Sequence, residues 1–204
     1  MATEGVRESA KSSRSAFDIV ALAASAGGLK ALSLVLAALP ESLPAAVVVV
    51  QHLDPRHRSL MADILSRRTA LEVKQAEEGD RLNPATAYIA PPDRHLLVNP
   101  DATLSLSQSE LVHFVRPSAD LLFESVAASF KDRAIAVVLS GTGSDGSMGV
   151  KAIKTMGGTV IAQDEKSSEY FGMPGAAAKD ADFVLPLEEI APALVTLIVK
   201  GDVE

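Results

Sequence analysis

Cysteine is absent from the 204 residues of the chain. Its absence excludes a disulfide framework, a thiolate metal site and a cysteine nucleophile. Any nucleophile in this chain must therefore be an oxygen or an amine, and the fold does not depend on an oxidising compartment.

Long apolar runs and clusters of basic residues are missing as well. The longest apolar stretches, such as residues 45–50, are far shorter than the roughly 20 residues that cross a bilayer. The polar first residues, 1–16, lack the apolar core of a signal peptide. We therefore expect no membrane insertion, no secretion and a cytoplasmic location. The net charge of -7 and the lack of a basic stripe also argue against nucleic-acid binding.

The composition is that of an ordinary globular protein. Hydrophobic residues make up 48% of the chain and charged residues 22%, which is close to average usage and unlike a disordered chain. The length suits a single well-packed core. We expect one domain over residues 17–204, preceded by a flexible leader over residues 1–16, where no hydrophobic period is present.

The order of apolar segments predicts the fold class. Five short apolar runs without polar alternation predict strands buried on both faces, at residues 18–23, 46–51, 134–139, 159–162 and 182–185. Apolar residues at helical spacing, such as Leu29, Leu32 and Leu36, lie between them. This alternation predicts a doubly wound, mostly parallel α/β sheet with flanking helices. Residues 71–115 break the alternation, and the turn residues at 99–101 predict a β-hairpin excursion on the edge of the sheet.

Ser25 lies directly after the first predicted strand, in the segment Ala-Ala-Ser-Ala-Gly-Gly. In open α/β sheets the site lies beyond the carboxyl ends of the strands. Small residues here let the chain turn sharply into a helix and expose the hydroxyl, while the first amides of that helix could stabilise an oxyanion. The alternative is a glycine-rich turn that binds an anion or only packs tightly, with Ser25 as a helix cap.

His52 follows the second predicted strand, and an imidazole is the usual base at physiological pH. A structural histidine without a chemical role is the alternative. The other three histidines, His57, His95 and His113, lie in less regular segments, where a solvated surface position is expected.

Asp145 lies in the segment Gly-Thr-Gly-Ser-Asp-Gly that follows the strand predicted at 134–139. A helix is predicted to start there, so Asp145 could cap that helix. The helix dipole would also keep the carboxylate ionised, which suits a group that orients an imidazole. A serine, a histidine and an aspartate after three strands of one sheet indicate a catalytic triad of Ser25, His52 and Asp145.

At these residues the sequence resembles the catalytic domain of the chemotaxis protein-glutamate methylesterases, the CheB family. The matching segments, in chain order, are ASAGG (24–28), VVQH (49–52), EGD (78–80), YIAP (88–91), DRH (93–95), RPS (116–118), GTGSDG (141–146), IAQD (161–164) and FGMP (171–174). The resemblance implies a Rossmann-like fold with Ser25 as nucleophile, His52 as general base and acid, and Asp145 as the residue that orients His52. It also implies an oxyanion hole formed by the backbone amides of Ala26 and Thr142. The family usually has methionine at the position of Thr142, a departure that leaves a backbone role unchanged.

The resemblance further implies the reaction and its partners. The expected activity is removal of methyl groups from glutamate γ-methyl esters of methyl-accepting chemoreceptors, through an acyl-enzyme and without a metal or organic cofactor. Glutamine deamidation by the same triad and a non-catalytic anion-binding module are the alternatives. Family members typically carry a receiver domain before the esterase, whereas only a short leader precedes Phe17. We therefore expect any receiver protein or methyltransferase to act in trans, on a chain that is either free-standing or a fragment.

Overall fold

A computed structural model describes residues 17–52 and 59–199. The expected leader and His57 lie outside the described residues. The elements in chain order are β1 (Ile19–Ala24), α1 (Gly28–Ala37), β2 (Ala46–Gln51), α2 (Met61–Ser66), β3 (Glu72–Gln75), β4 (Thr86–Ile89), β5 (His95–Val98), β6 (Leu104–Ser107), α3 (Ala119–Phe130), a single 3₁₀ turn (Lys131–Arg133), β7 (Ala134–Val138), α4 (Ser147–Thr155), β8 (Thr159–Gln163), α5 (Gly172–Ala177), β9 (Phe183–Leu185) and α6 (Leu187–Val199).

Seven of these strands form one parallel sheet in the order β3-β4-β2-β1-β7-β8-β9. On one side of β1 the chain adds β2, then β3 at the border, then β4 between β3 and β2; it returns to the other side of β1 to add β7, β8 and β9. The strand order therefore reverses between β1 and β7, which is where sheets of this kind form a binding crevice. All five predicted strands lie in the sheet, so the predicted doubly wound α/β class is confirmed.

The segment between residues 71 and 115 holds more than the predicted hairpin. Strands β5 and β6 do form an antiparallel hairpin, with Val98 opposite Leu104 and the predicted turn between them. However, β3 and β4 are parallel strands that extend the main sheet. The sequence Glu-Val-Lys-Gln of β3 has no apolar run because β3 is an edge strand whose end residues, Glu72 and Gln75, are exposed.

Side chains of β1 point alternately into two apolar cores, one on each face of the sheet. Val20 and Leu22 join the core under α1, α2 and α6, whereas Ile19 and Ala21 join the core under α3, α4 and the hairpin. Each fully buried aliphatic side chain contributes about 1.5–3 kcal/mol of hydrophobic stabilisation. Burial on both faces explains why the central strands lack polar alternation.

The helices are short and cover the faces of the sheet. The longest of those described, α6, has 13 residues. Within residues 17–52 and 59–199, no helix is both long enough and apolar enough to cross a membrane.

Candidate active site

Three loops meet at the carboxyl ends of β1, β2 and β7. Ser25 follows β1, and its amide donates a hydrogen bond to the carbonyl of Ser140 after β7, at 3.0 Å. His52 follows β2, and its amide donates to the carbonyl of Ala24 at 3.1 Å. The parallel ladder therefore continues past the strands and holds the backbones of Ser25 and His52 side by side at the point where the strand order reverses.

Gln51 ties the two loops together. Its side-chain Nε2 donates to the carbonyl of Ser25 at 2.7 Å and to the carbonyl of His52 at 3.1 Å. Gly28 makes room for this amide, because a Cβ at Gly28 would lie 2.1 Å from Gln51 Oε1. The small residues after β1 therefore allow a buried amide to fix the backbone on both sides of the site.

His52 and Asp145 form a direct hydrogen bond. His52 Nε2 lies 2.8 Å from Asp145 Oδ2, and the side chains are only 15% and 4% exposed. Because Nε2 faces the carboxylate, the neutral ring carries its proton there and presents the Nδ1 lone pair elsewhere. In the described part of the chain Ser25 Oγ has no hydrogen-bond partner, so the structure joins two of the three predicted side chains directly and places the third on the neighbouring loop.

Asp145 does not cap the helix that follows it, contrary to the alternative considered for it above. Helix α4 begins at Ser147 without a side-chain cap from its N-cap residue. The carboxylate turns back instead and accepts hydrogen bonds at the start of α3, from Ser118 Oγ at 2.9 Å, Ala119 N at 2.6 Å and Asp120 N at 3.2 Å. The carboxylate of Asp145 therefore caps α3 rather than α4.

Hydrogen bonds keep the buried Asp145 ionised. Burial by itself would raise the pKa of this carboxyl, but the bonds from His52, the α3 amides and Ser118 outweigh it and lower the pKa below the ordinary aspartate value. An ionised carboxylate next to an imidazole stabilises the protonated ring. The pair can therefore accept a proton from a neighbouring hydroxyl.

Asp120 makes the reverse contact. Its Oδ1 accepts hydrogen bonds from the amides of Met148 at 2.9 Å and Gly149 at 2.7 Å, in the first turn of α4. Burial raises the pKa of Asp120, with a further upward contribution from the charge of Asp145. Asp145, in the loop before α4, thus caps α3, and Asp120, in the first turn of α3, caps α4.

The amides of Ala26 and Thr142 are free to bind a ligand. Neither donates a hydrogen bond to any residue in the described ranges. The surrounding backbone is fixed, because Ser140 Oγ donates to the carbonyl of Ala26 at 2.8 Å and Gly141 N donates to the carbonyl of Tyr170 at 3.0 Å. Two held but unpaired amides are the usual components of an oxyanion hole.

An open pocket of about 450 Å³ borders Ser25 on the side of α1 and α2. Gly28, Gln51 and Met61 form part of its wall, and Lys30 and Arg68 lie at its border. Among residues 17–52 and 59–199, no group of three His, Asp or Glu side chains is arranged to hold a metal ion.

Comparison with known proteins gives the same assignment along nearly the whole chain. The family model described as CheB methylesterase matches residues 20–194. The chain belongs to the CheB methylesterase family. It is 37% identical to the CheB methylesterase catalytic domain of Thermotoga maritima, whose crystal structure superposes with a TM-score of 0.86 over 89% of this chain and 99% of that one.

Two curated relatives show how CheB methylesterase domains occur in proteins of different length. The chain is 44% identical to a protein-glutamate methylesterase/protein-glutamine glutaminase of Moorella thermoacetica over 91% of this chain and 45% of the relative. It is 38% identical to a protein of Leptospira interrogans named putative protein-glutamate methylesterase/protein-glutamine glutaminase, over 89% of this chain and 95% of the relative. The chain therefore spans about half the length of the first relative and nearly all of the second.

Some residues that support the CheB-type site were not predicted. His95, expected at the surface, is fully buried; its Nδ1 accepts from the amide of Ser118 at 3.1 Å and its Nε2 donates to the carbonyl of Glu110 at 3.0 Å. His95 therefore holds Ser118, which in turn holds Asp145. Both residues lie in segments that match the family, DRH and RPS, and that signal could have identified them. His113 has an exposed side chain, as predicted.

Proposed function

We propose that this chain hydrolyses the γ-methyl esters of glutamate residues in chemoreceptors, with Ser25, His52 and Asp145 as its catalytic triad. The observation that carries the proposal is the 2.8 Å hydrogen bond between His52 and the buried Asp145, on the loops that adjoin Ser25. Family membership supports the reaction class. The two unpaired amides, of Ala26 and Thr142, support an acyl transfer in which negative charge develops on oxygen.

In the first half of the reaction, Ser25 Oγ attacks the ester carbonyl carbon and His52 Nδ1 accepts the hydroxyl proton. The ionised Asp145 stabilises the imidazolium that forms. The carbonyl oxygen becomes an oxyanion that accepts hydrogen bonds from the amides of Ala26 and Thr142. The C–O bond to the methoxy group then breaks, and His52 donates its proton so that methanol leaves and an acyl-enzyme remains.

In the second half, a water molecule attacks the acyl carbon while His52 accepts one of its protons. The resulting tetrahedral oxyanion uses the same two amides. Collapse of this species releases the glutamate carboxyl group, and the proton on His52 returns to Ser25 Oγ. No step in this sequence requires a metal or organic cofactor.

The test compares Ser25→Ala with wild type on membranes that contain methyl-labelled receptors. We expect Ser25→Ala to lower the release of labelled methanol by on the order of 10⁶, the loss measured when the nucleophile of a well-studied serine hydrolase is removed. Ser129→Ala is the matched control, because Ser129 is a half-buried serine near the carboxyl end of α3, is not among the residues that line the pocket beside Ser25, and donates its hydroxyl to the carbonyl of Val98. Full activity of Ser25→Ala would falsify the assignment of the nucleophile.

Deamidation of receptor glutamine is a second activity that the same site supports. The names of the Moorella and Leptospira relatives include protein-glutamine glutaminase. In deamidation the group that leaves is ammonia, and the acyl-enzyme is the same. Release of ammonia from a glutamine-containing receptor, absent with Ser25→Ala, would establish it.

The partners follow from the proposed substrate. We infer that the chain acts in the cytoplasm on the helices of methyl-accepting chemoreceptors, and that a receiver protein or methyltransferase acts on it in trans. Faster methanol release after addition of a phosphorylated receiver protein would demonstrate regulation by a receiver protein in trans.

A further inference from the structure

The pocket beside Ser25 has two cations on its border, although the chain as a whole is acidic. Lys30 lies on α1, Arg68 lies two residues after the end of α2, and both side chains are exposed. The net charge of the protein is -7. The pocket therefore offers two positively charged groups to a ligand, although the net charge of the chain is negative.

Lys30 and Arg68 have no anionic partner among the described residues. Within residues 17–52 and 59–199, no carboxylate lies within ion-pair distance of either. Four other basic side chains in the same ranges do form ion pairs, namely Lys74, Arg116, Arg133 and Lys154. No aspartate or glutamate is among the described residues that line the pocket.

The pocket is larger than the ester side chain requires. A glutamate γ-methyl ester side chain has six non-hydrogen atoms, or about 180 Å³ at roughly 30 Å³ for each water-sized group. The pocket holds about 450 Å³. Its walls also include apolar groups from Leu29 and Met61, which suit the aliphatic parts of a peptide. There is room for a second side chain of the substrate beside the ester.

We propose that Lys30 and Arg68 bind carboxylates of substrate residues next to the ester glutamate, so that this site selects esters within acidic segments. This role presupposes the esterase activity proposed above. The attraction acts through exposed groups, so it is sensitive to salt and modest for each pair. It places substrate recognition on the α1 and α2 side of Ser25, away from the loop that carries Asp145.

The experiment measures binding rather than turnover. Two fluorescein-labelled peptides carry methionine in place of the ester glutamate, since methionine has a similar length and cannot be hydrolysed. One peptide has glutamates around the methionine and the other has glutamines. Fluorescence anisotropy gives the dissociation constant of each peptide for wild type, for the double variant Lys30→Gln/Arg68→Gln and for Lys131→Gln.

We expect wild type to bind the acidic peptide about fivefold more tightly than the neutral one. NaCl at about 0.5 M should abolish this preference, because salt screens the exposed charges. The double variant should lose the preference. Lys131→Gln should keep the preference, because Lys131 is exposed in the 3₁₀ turn before β7, at the amino ends of the strands and opposite to the end that carries Ser25. Equal affinity for the two peptides, or an undiminished preference in the double variant, overturns the proposal. Because the methionine peptides do not react, this outcome is independent of whether Ser25→Ala abolishes methanol release.

Discussion

Asp145 accepts four hydrogen bonds in a position almost closed to water, from His52, Ser118 and the first two amides of α3. Asparagine has one acceptor oxygen and an amide nitrogen that only donates, so Asp145→Asn would oppose donor to donor on one side. We expect turnover to fall by about 10⁴, as in the equivalent change in a serine protease, and stability to fall by about 1–3 kcal/mol. Methanol release and urea unfolding measure the two effects. Turnover within about threefold of wild type would exclude Asp145 from the triad.

The lowered pKa of Asp145 also predicts how stability depends on pH. An aspartate whose pKa is lower in the folded state than its value of about 3.9 in the unfolded chain contributes stability above that value. The contribution is lost as the pH falls through the folded-state pKa. We therefore expect the difference in unfolding free energy between wild type and Asp145→Asn to shrink as the pH falls below about 3.9. A difference that grows in that acid range would contradict this sign.

Helices α3 and α4 are linked at their amino ends, because Asp145 accepts hydrogen bonds from the first amides of α3 and Asp120 accepts hydrogen bonds from amides in the first turn of α4. Asp120→Ala removes the acceptor for Met148 N and Gly149 N, so we expect a loss of about 0.5–2 kcal/mol, typical of a lost helix cap. Asp120→Asn keeps an acceptor oxygen and removes a charge that burial already disfavours, so it should be much less destabilising. Urea unfolding of both variants gives the comparison. If asparagine destabilised as much as alanine, the cap would not be the cause.

Most strands that the sequence predicted correctly are buried on both faces as expected; β9 is the exception, because Phe183 and Val184 are exposed at the border of the sheet. Strands β1, β2 and β7 are buried on both faces and read as apolar runs. Strand β3 is an edge strand, and β4 has only four residues, Thr86–Ile89. Neither gives a run long enough to distinguish a sheet strand from a hairpin strand, so the excursion was predicted to be larger than it is.

The candidate site was predicted as far as topology determines it. Residues after adjacent parallel strands must lie at one edge of the sheet, which brought Ser25, His52 and the loop of Asp145 together. The contact between Asp145 and α3 joins residues about 25 positions apart, and the burial of His95 depends on Ser118 and Glu110. The matching segments mark His95 and Ser118, but hydrophobic periodicity does not predict these contacts, since they depend on how the hairpin and α3 pack.

At the scale of the whole molecule, one sheet separates two cores, and its central strands contribute side chains to both. Leu32 lies in the core under α1 and α6, and Phe123 lies in the core under α3 and α4. We expect Leu32→Ala to cost about 2–5 kcal/mol and Phe123→Ala about 3–5 kcal/mol. Because β1 contributes side chains to both cores, each variant should still unfold in a single transition when followed by far-UV circular dichroism. A separate early transition in either variant would show that the two faces unfold independently.

The two borders of the sheet have a consequence for the protein in concentrated solution. At one border, β3 carries Glu72 and Lys74; at the other, β9 is only three residues long. Charges on the first border oppose pairing with a strand from another molecule, and the second is too short to template one. The sheet therefore stops growing at its own last strands, and we expect replacement of Glu72 and Lys74 by valine to favour fibrillar aggregation, measured by thioflavin T fluorescence.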